Sequence, residues 1–184
     1  MRPGDHTVYI LLTNTGTLFT RALGLCTGAP YNHSSLAFDG DLSEVYSFGR
    51  LKPRNPFFGG FVREDRRTGL YALKRETKCA VFELSVSAAE LARLRQAVTE
   101  FDAERGKYTY SLLGLLGVAM RRPINRRYSY FCSQFIATVL ERAGVHLFDK
   151  PPGLVTPEDF QKHPDLTLVY EAKLSEYHAH KARE

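Results

Sequence analysis

The segment from Tyr128 to Gly144, YSYFCSQFIATVLERAG, puts a cysteine in the first turn of an apolar helix. About a hundred residues earlier, YNHSSLAFDGD puts a histidine at the start of a short strand. A fold that uses both must bring the beginning of that helix against the beginning of that strand. A thiol at a helix N-terminus sits at the positive end of the peptide dipole, which favours thiolate over thiol. A neighbouring imidazole completes the ion pair that makes sulfur a nucleophile at neutral pH. Residue type alone does not decide the matter, because free cysteines are ordinarily small buried hydrophobes.

The local periodicities orient both groups. Cys132 shares its helical face with Phe135, Ile136 and Val139, so the thiol points toward whatever the helix packs against. His33, Ser35 and Ala37 alternate with Ser34, Leu36 and Phe38, giving one small polar face and one bulky apolar face. That pattern suits a strand with a cleft on one side and a core on the other. A turn on Asp39-Gly40-Asp41 leads into a hairpin partner, Glu44–Gly49. Any register that sets Leu36 and Phe38 beside Tyr46 and Phe48 brings Val45, Ser47 and Gly49 to the histidine face. Ser47 is then the polar side chain best placed to fix the imidazole tautomer. Glu44 falls on the other face, and Glu64, in an apparent loop, is a third option.

The remaining pattern predicts one domain over residues 1–184, with a polar, flexible tail from about Ser175. A strand at His6–Thr13 is followed by a helix from Thr15 or Thr17 to about Cys26. Three clusters of Pro and Gly make Arg50 to Gly69 read as a long ordered loop. Strands are expected at Leu70–Lys74, Cys79–Val86 and Leu166–Tyr170. Ser87-Ala88-Ala89-Glu90 is a capping box for a helix to about Arg105, with Leu91, Leu94, Val98 and Phe101 on one face. Gly144 is the expected left-handed cap of the cysteine helix, and Thr156-Pro157-Glu158-Asp159 opens a further short helix.

Charge and composition exclude several functions. The net charge of +5 is a small excess, and no aromatic-basic stacking motif accompanies it, so nucleic acid is a poor partner. The apolar run Tyr108–Met120 is too short to span a bilayer. The N-terminus, MRPGDHTVYILL, lacks a long apolar region and a small-residue cleavage site and reads as a first strand. Three widely spaced cysteines, Cys26, Cys79 and Cys132, argue against a disulfide framework or a cysteine zinc site and for a reducing compartment, hence a cytoplasmic location. His178 and His180 are two ligands on a tail and make a weak metal site. No cofactor is expected.

Gly4-Asp5 before the first strand, Tyr31-Asn32-His33 opening the next, and Tyr130-Phe131-Cys132-Ser133-Gln134-Phe135 at the helix resemble the NlpC-type papain-like cysteine peptidases. The resemblance extends to the YSFGR strand, Gly59-Gly60-Phe61 and Pro157-Glu158-Asp159. It is closer to the circularly permuted branch, in which histidine precedes cysteine and which includes the lecithin:retinol acyltransferase-like enzymes. The resemblance implies an α+β fold with an antiparallel sheet packed against helices. It makes Cys132 the nucleophile and His33 its general base. It places a third polar residue in Glu44–Ser47, where family members often carry His, Glu, Gln or Asn; Ser47 would orient the ring without offsetting its charge. Backbone N–H groups at the start of the cysteine helix would meet the oxyanion. Tyr31, Tyr110 and Ser133 are the expected substrate-binding residues.

The expected chemistry is acyl transfer through a thioester, cleaving an amide in a cell-wall-type peptide or an acyl conjugate. Two alternatives are a thiol acyltransferase acting on lipid and a non-catalytic module that binds lipid or peptide in the same cleft. The apolar run Tyr108–Met120 is read first as a short core helix, with the wall of an acyl pocket as the alternative. Arg121, Arg122, Arg126 and Arg127 read first as a solvated basic loop, with a carboxylate or phosphate of substrate or lipid as the alternative.

Overall fold

A computed structural model describes residues 4–14, 30–52, 55–65 and 76–177, with 52 and 55–58 described by their backbone alone. The helix expected before Cys26, Cys26 itself, the strand expected at Leu70–Lys74, and His178 and His180 lie outside the described residues.

The central strand is apolar at five successive positions, Val8 to Leu12, because it is covered on both faces. It is β1, His6–Asn14, flanked by β2, His33–Ala37, and β5, Lys78–Val86. Beyond β2 come β3, Val45–Lys52, and β4, Asn55–Glu64. Two short strands, β6, Thr109–Tyr110, and β7, Ser129–Tyr130, pair in parallel, and β8, Thr167–Lys173, adds to β5. The main sheet runs β4-β3-β2-β1-β5-β8, antiparallel throughout. Four helices are present among the described residues: α1, Ala88–Ala103; α2, Leu112–Ala119; α3, Cys132–Arg142; and α4, Pro157–Gln161. None of them is long and apolar enough to cross a membrane.

The period of two in β1 sorts its side chains between two cores. Val8, Ile10 and Leu12 join the larger one with Leu94, Val98 and Phe101 of α1 and Phe135, Ile136 and Val139 of α3. Tyr9 and Leu11 join a smaller one with Cys79, Val81, Leu174 and Tyr177. The described residues stay packed through Tyr177, which is buried and whose hydroxyl donates to the Gly40 carbonyl at 2.7 Å, over the turn after β2; 178–184 of the expected tail lie outside the described residues.

Capping chemistry fixes the helices as their sequences predict. Ser87 Oγ accepts from the Glu90 N–H at 3.3 Å, and Glu90 Oε2 accepts from the Ser87 N–H at 2.8 Å. Gly144, at φ 81°, ends α3 in the left-handed region, so that the Val145 N–H can reach the Leu140 carbonyl at 2.9 Å.

Among the described residues of the expected loop from Arg50 to Gly69, most are strand. Strand β3 runs to Lys52 and β4 occupies 55–64 at the edge of the sheet. An edge strand tolerates a proline such as Pro56, because only one of its two sides carries ladder bonds. The glycines serve close approach: a Cβ on Gly59 would lie 2.7 Å from Tyr110 Cβ, and one on Gly60 would lie 2.8 Å from the Tyr108 carbonyl oxygen.

The apolar run is not a core helix either. Helix α2 buries its two glycines, Gly114 and Gly117, and leaves Leu112, Leu113, Leu116 and Met120 about half exposed. A Cβ on Gly114 would stand 2.9 Å from Phe131 Cδ1, and one on Gly117 would stand 2.6 Å from the Arg122 carbonyl oxygen. Only the glycine stripe can approach the protein this closely, so the leucines face outward.

Candidate active site

The first turn of α3 is fixed before any chemistry is considered. Phe131 is buried beside it, and the Phe131 N–H donates to Gln134 Oε1 at 3.4 Å. Ser133 Oγ donates to the Val155 carbonyl at 2.7 Å, tying the turn to the segment before α4. Cys132, the first residue of α3, is held almost fully buried. His33, the first residue of β2, lies within hydrogen-bonding reach of its thiol.

The third member is Glu64, at the end of β4. Its Oε1 lies 2.9 Å from His33 Nε2, and its Oε2 accepts from the Ser35 hydroxyl at 2.5 Å. With Nε2 engaged by the carboxylate, Nδ1 is the nitrogen left for the sulfur. The His33 and Glu64 side chains are only 15% and 14% exposed, so little water screens the pair. Tyr110, at the end of β6, brings its hydroxyl to the sulfur from another side.

The electrostatics follow from this geometry. Burial works against a charged His33, yet the Glu64 carboxylate and the hydrogen bond to Cys132 push it up to about 10. Burial also works against a Cys132 thiolate, but the hydrogen bond and charge of His33, followed by the backbone and side chain of Ser34, hold the thiol below its ordinary value. Ser34 Oγ is buried without another hydrogen-bond partner among the described residues, so its proton is available to the sulfur. Burial, then the charge of Cys132, raises the Tyr110 phenol well above its ordinary value, which keeps it protonated as a donor. Cys79 shows the contrast: buried in the smaller core, it is pushed up to about 12.

Cys132, His33 and Tyr110 thus come together, and four other expectations need correction. Ser47 does not touch the imidazole. Strands β2 and β3 pair only at Leu36↔Tyr46 and Ala37↔Val45, and beyond them the Ser47 hydroxyl donates to the Ser34 carbonyl at 2.7 Å. Tyr31 is buried in the larger core, and its hydroxyl donates to Glu171 Oε1 of β8 at 2.6 Å. The Ser133 side chain is committed to Val155, as described above. The small face of β2 is no open cleft wall, because Ser35 and Ala37 are fully buried and Ala37 belongs to the second core. Glu44 lies apart from the site, as its parity requires, and pairs with Arg95 at 3.0 Å.

Ser34 and Ser35 are neighbours of the candidate site that the sequence does not single out; the local signal is the run of two small hydroxyl residues directly after the histidine.

No family model matches the chain, and no curated protein matches it. Among solved structures, it is similar to metalloprotein yiiX from Escherichia coli O157:H7, described as DUF1105. The likeness covers 91% of this chain and 98% of that one, with a TM-score of 0.55 and 16% identity. It is a likeness of fold. No group of three or more His, Cys, Asp or Glu side chains among the described residues is arranged to hold a metal ion.

Proposed function

We propose that the chain is a thiol hydrolase of the permuted papain-like type, cleaving an amide or ester in a peptide or acyl conjugate. The observation that carries this reading is the run Cys132–His33–Glu64, assembled from α3, β2 and β4 in a nearly dry setting. A catalytic nucleophile needs an adjacent base that is itself oriented by a third group, and this arrangement supplies each part.

The Cys132 thiolate attacks the substrate carbonyl, and the oxyanion forms beside the Cys132 N–H, which has no intrahelical acceptor at the start of α3. The His33 imidazolium gives its proton to the leaving nitrogen or oxygen, and the C–N or C–O bond breaks to leave a thioester. Neutral His33 then takes a proton from water, whose oxygen attacks the thioester carbonyl. The C–S bond breaks, returning thiolate, imidazolium and the free acid. Glu64 holds the ring and offsets its charge throughout. An amine or alcohol in place of water gives an acyltransferase by the same steps.

Activated esters test the reading. With p-nitrophenyl acetate and p-nitrophenyl decanoate we expect a burst of p-nitrophenolate that matches the enzyme concentration, and an acyl adduct that maps to Cys132 by peptide mass. An adduct on another residue, or none with either ester, overturns the proposal.

A further inference from the structure

We infer that α2 and the arginines that follow it form a docking surface for an anionic lipid bilayer. The helix turns its apolar side outward. Leu112, Leu116 and Met120 recur at a spacing of four, with Leu113 beside them, and all four are about half exposed. A short helix without a charged residue gains nothing in water from this orientation, and an exposed contiguous apolar patch marks a contact site.

Charge chooses the occupant. Arg121, Arg122, Arg126 and Arg127 are exposed immediately after α2, and none of them forms an ion pair with a described carboxylate. Apolar side chains bordered by exposed guanidinium groups, of which Arg127 also stacks on Tyr128, match an interface whose acyl layer lies beneath anionic headgroups. A second copy docked on the same face would bring the two arginine clusters together.

Arg121 follows the α2 cap at φ 54°, in the left-handed region where glycine is cheaper.

The surface lies beside the candidate active site without depending on it. Tyr110 directly precedes the Ser111 cap of α2, whose Oγ accepts from the Gly114 N–H at 3.0 Å, and Gly114 packs on Phe131, next to Cys132. Docking would set the thiol close to the bilayer surface, within reach of acyl groups held there.

Co-sedimentation of the full chain with phosphatidylcholine vesicles, with and without a quarter of phosphatidylglycerol, tests the inference whatever the activity of Cys132. We expect binding to the anionic vesicles that falls at least tenfold on pure phosphatidylcholine or in about 0.5 M salt, where the Debye length drops to roughly 4 Å. The combined change Leu112→Gln, Leu113→Gln and Leu116→Gln should abolish binding with little change in melting temperature, because about half of each side chain already meets water. Arg121→Gly with Arg122→Gln should weaken binding about 30-fold, near fivefold per charge, while Arg121→Gly alone does not lower the melting temperature. Failure of the wild type to bind anionic vesicles overturns the inference, as does undiminished binding by the glutamine variant. A vesicle-free dimer that the glutamine changes dissociate also overturns it, since the occupant would then be a second copy.

Discussion

Cys132→Ala is expected to abolish turnover of ester and amide substrates, a loss on the order of 10⁶-fold where nucleophile and base act as one unit. The fold should survive. The substitution removes one buried sulfur and leaves His33 paired to Glu64 at 2.9 Å, so the melting transition stays near that of wild type. Cys132→Ser is the sharper control, because it keeps a hydrogen-bonding atom at the helix start. A serine hydroxyl is not ionised by an adjacent imidazole as a thiol is, so stoichiometric ion-pair formation is lost and turnover falls nearly as far. Steady-state rates of the folded variants check this; turnover within tenfold of wild type in Cys132→Ala removes the nucleophile from position 132.

The second large effect is expected at Glu64. Glu64→Ala should lower kcat/KM by about 10²–10⁴-fold, the range seen when the orienting carboxylate of such a unit is lost. Glu64→Gln separates orientation from charge: the amide oxygen can still accept from Nε2, yet nothing offsets the imidazolium. His33 is raised to about 10 in the wild type, with Glu64 the largest of the raising influences. Imidazolium is present below that value and is lost as pH rises through it, so removing the carboxylate moves the alkaline limb of the pH–rate profile downward. Ser47→Ala should leave kcat/KM within about twofold and cost about 1 kcal/mol of stability, the worth of its hydrogen bond to the Ser34 carbonyl. Equal losses at Glu64 and Ser47 would contradict this division of roles.

The two elements that carry the site are legible in the sequence because their periods are unbroken. Phe135, Ile136 and Val139 mark the buried face of α3, and the alternation from His33 to Phe38 marks β2. Glu64 is harder to read, since Pro56, Gly59 and Gly60 look like loop punctuation when they are an edge position and two points of close backbone approach. The parity argument for Ser47 assumes a hairpin that stays paired, whereas β2 and β3 separate after two residue pairs. Tyr31 and Ser133 are settled by acceptors 140 and 22 residues away, Glu171 and Val155, which no local pattern reveals. For α2, hydropathy identifies an apolar helix but not its inner side. Steric clearance decides that, and the glycines win over the leucines.

The central claim is that Cys132 and His33 form one coupled acid–base pair, in which the imidazole holds the thiol below its ordinary value. Thiolate absorbance in the ultraviolet, measured against pH as the difference between wild type and Cys132→Ala, reads this without requiring access for a reagent. The account predicts a Cys132 midpoint below the ordinary thiol value of 9.0, rising to that of a buried thiol in His33→Ala. A midpoint at or above 9.0 in the wild type, unmoved by His33→Ala, would contradict it.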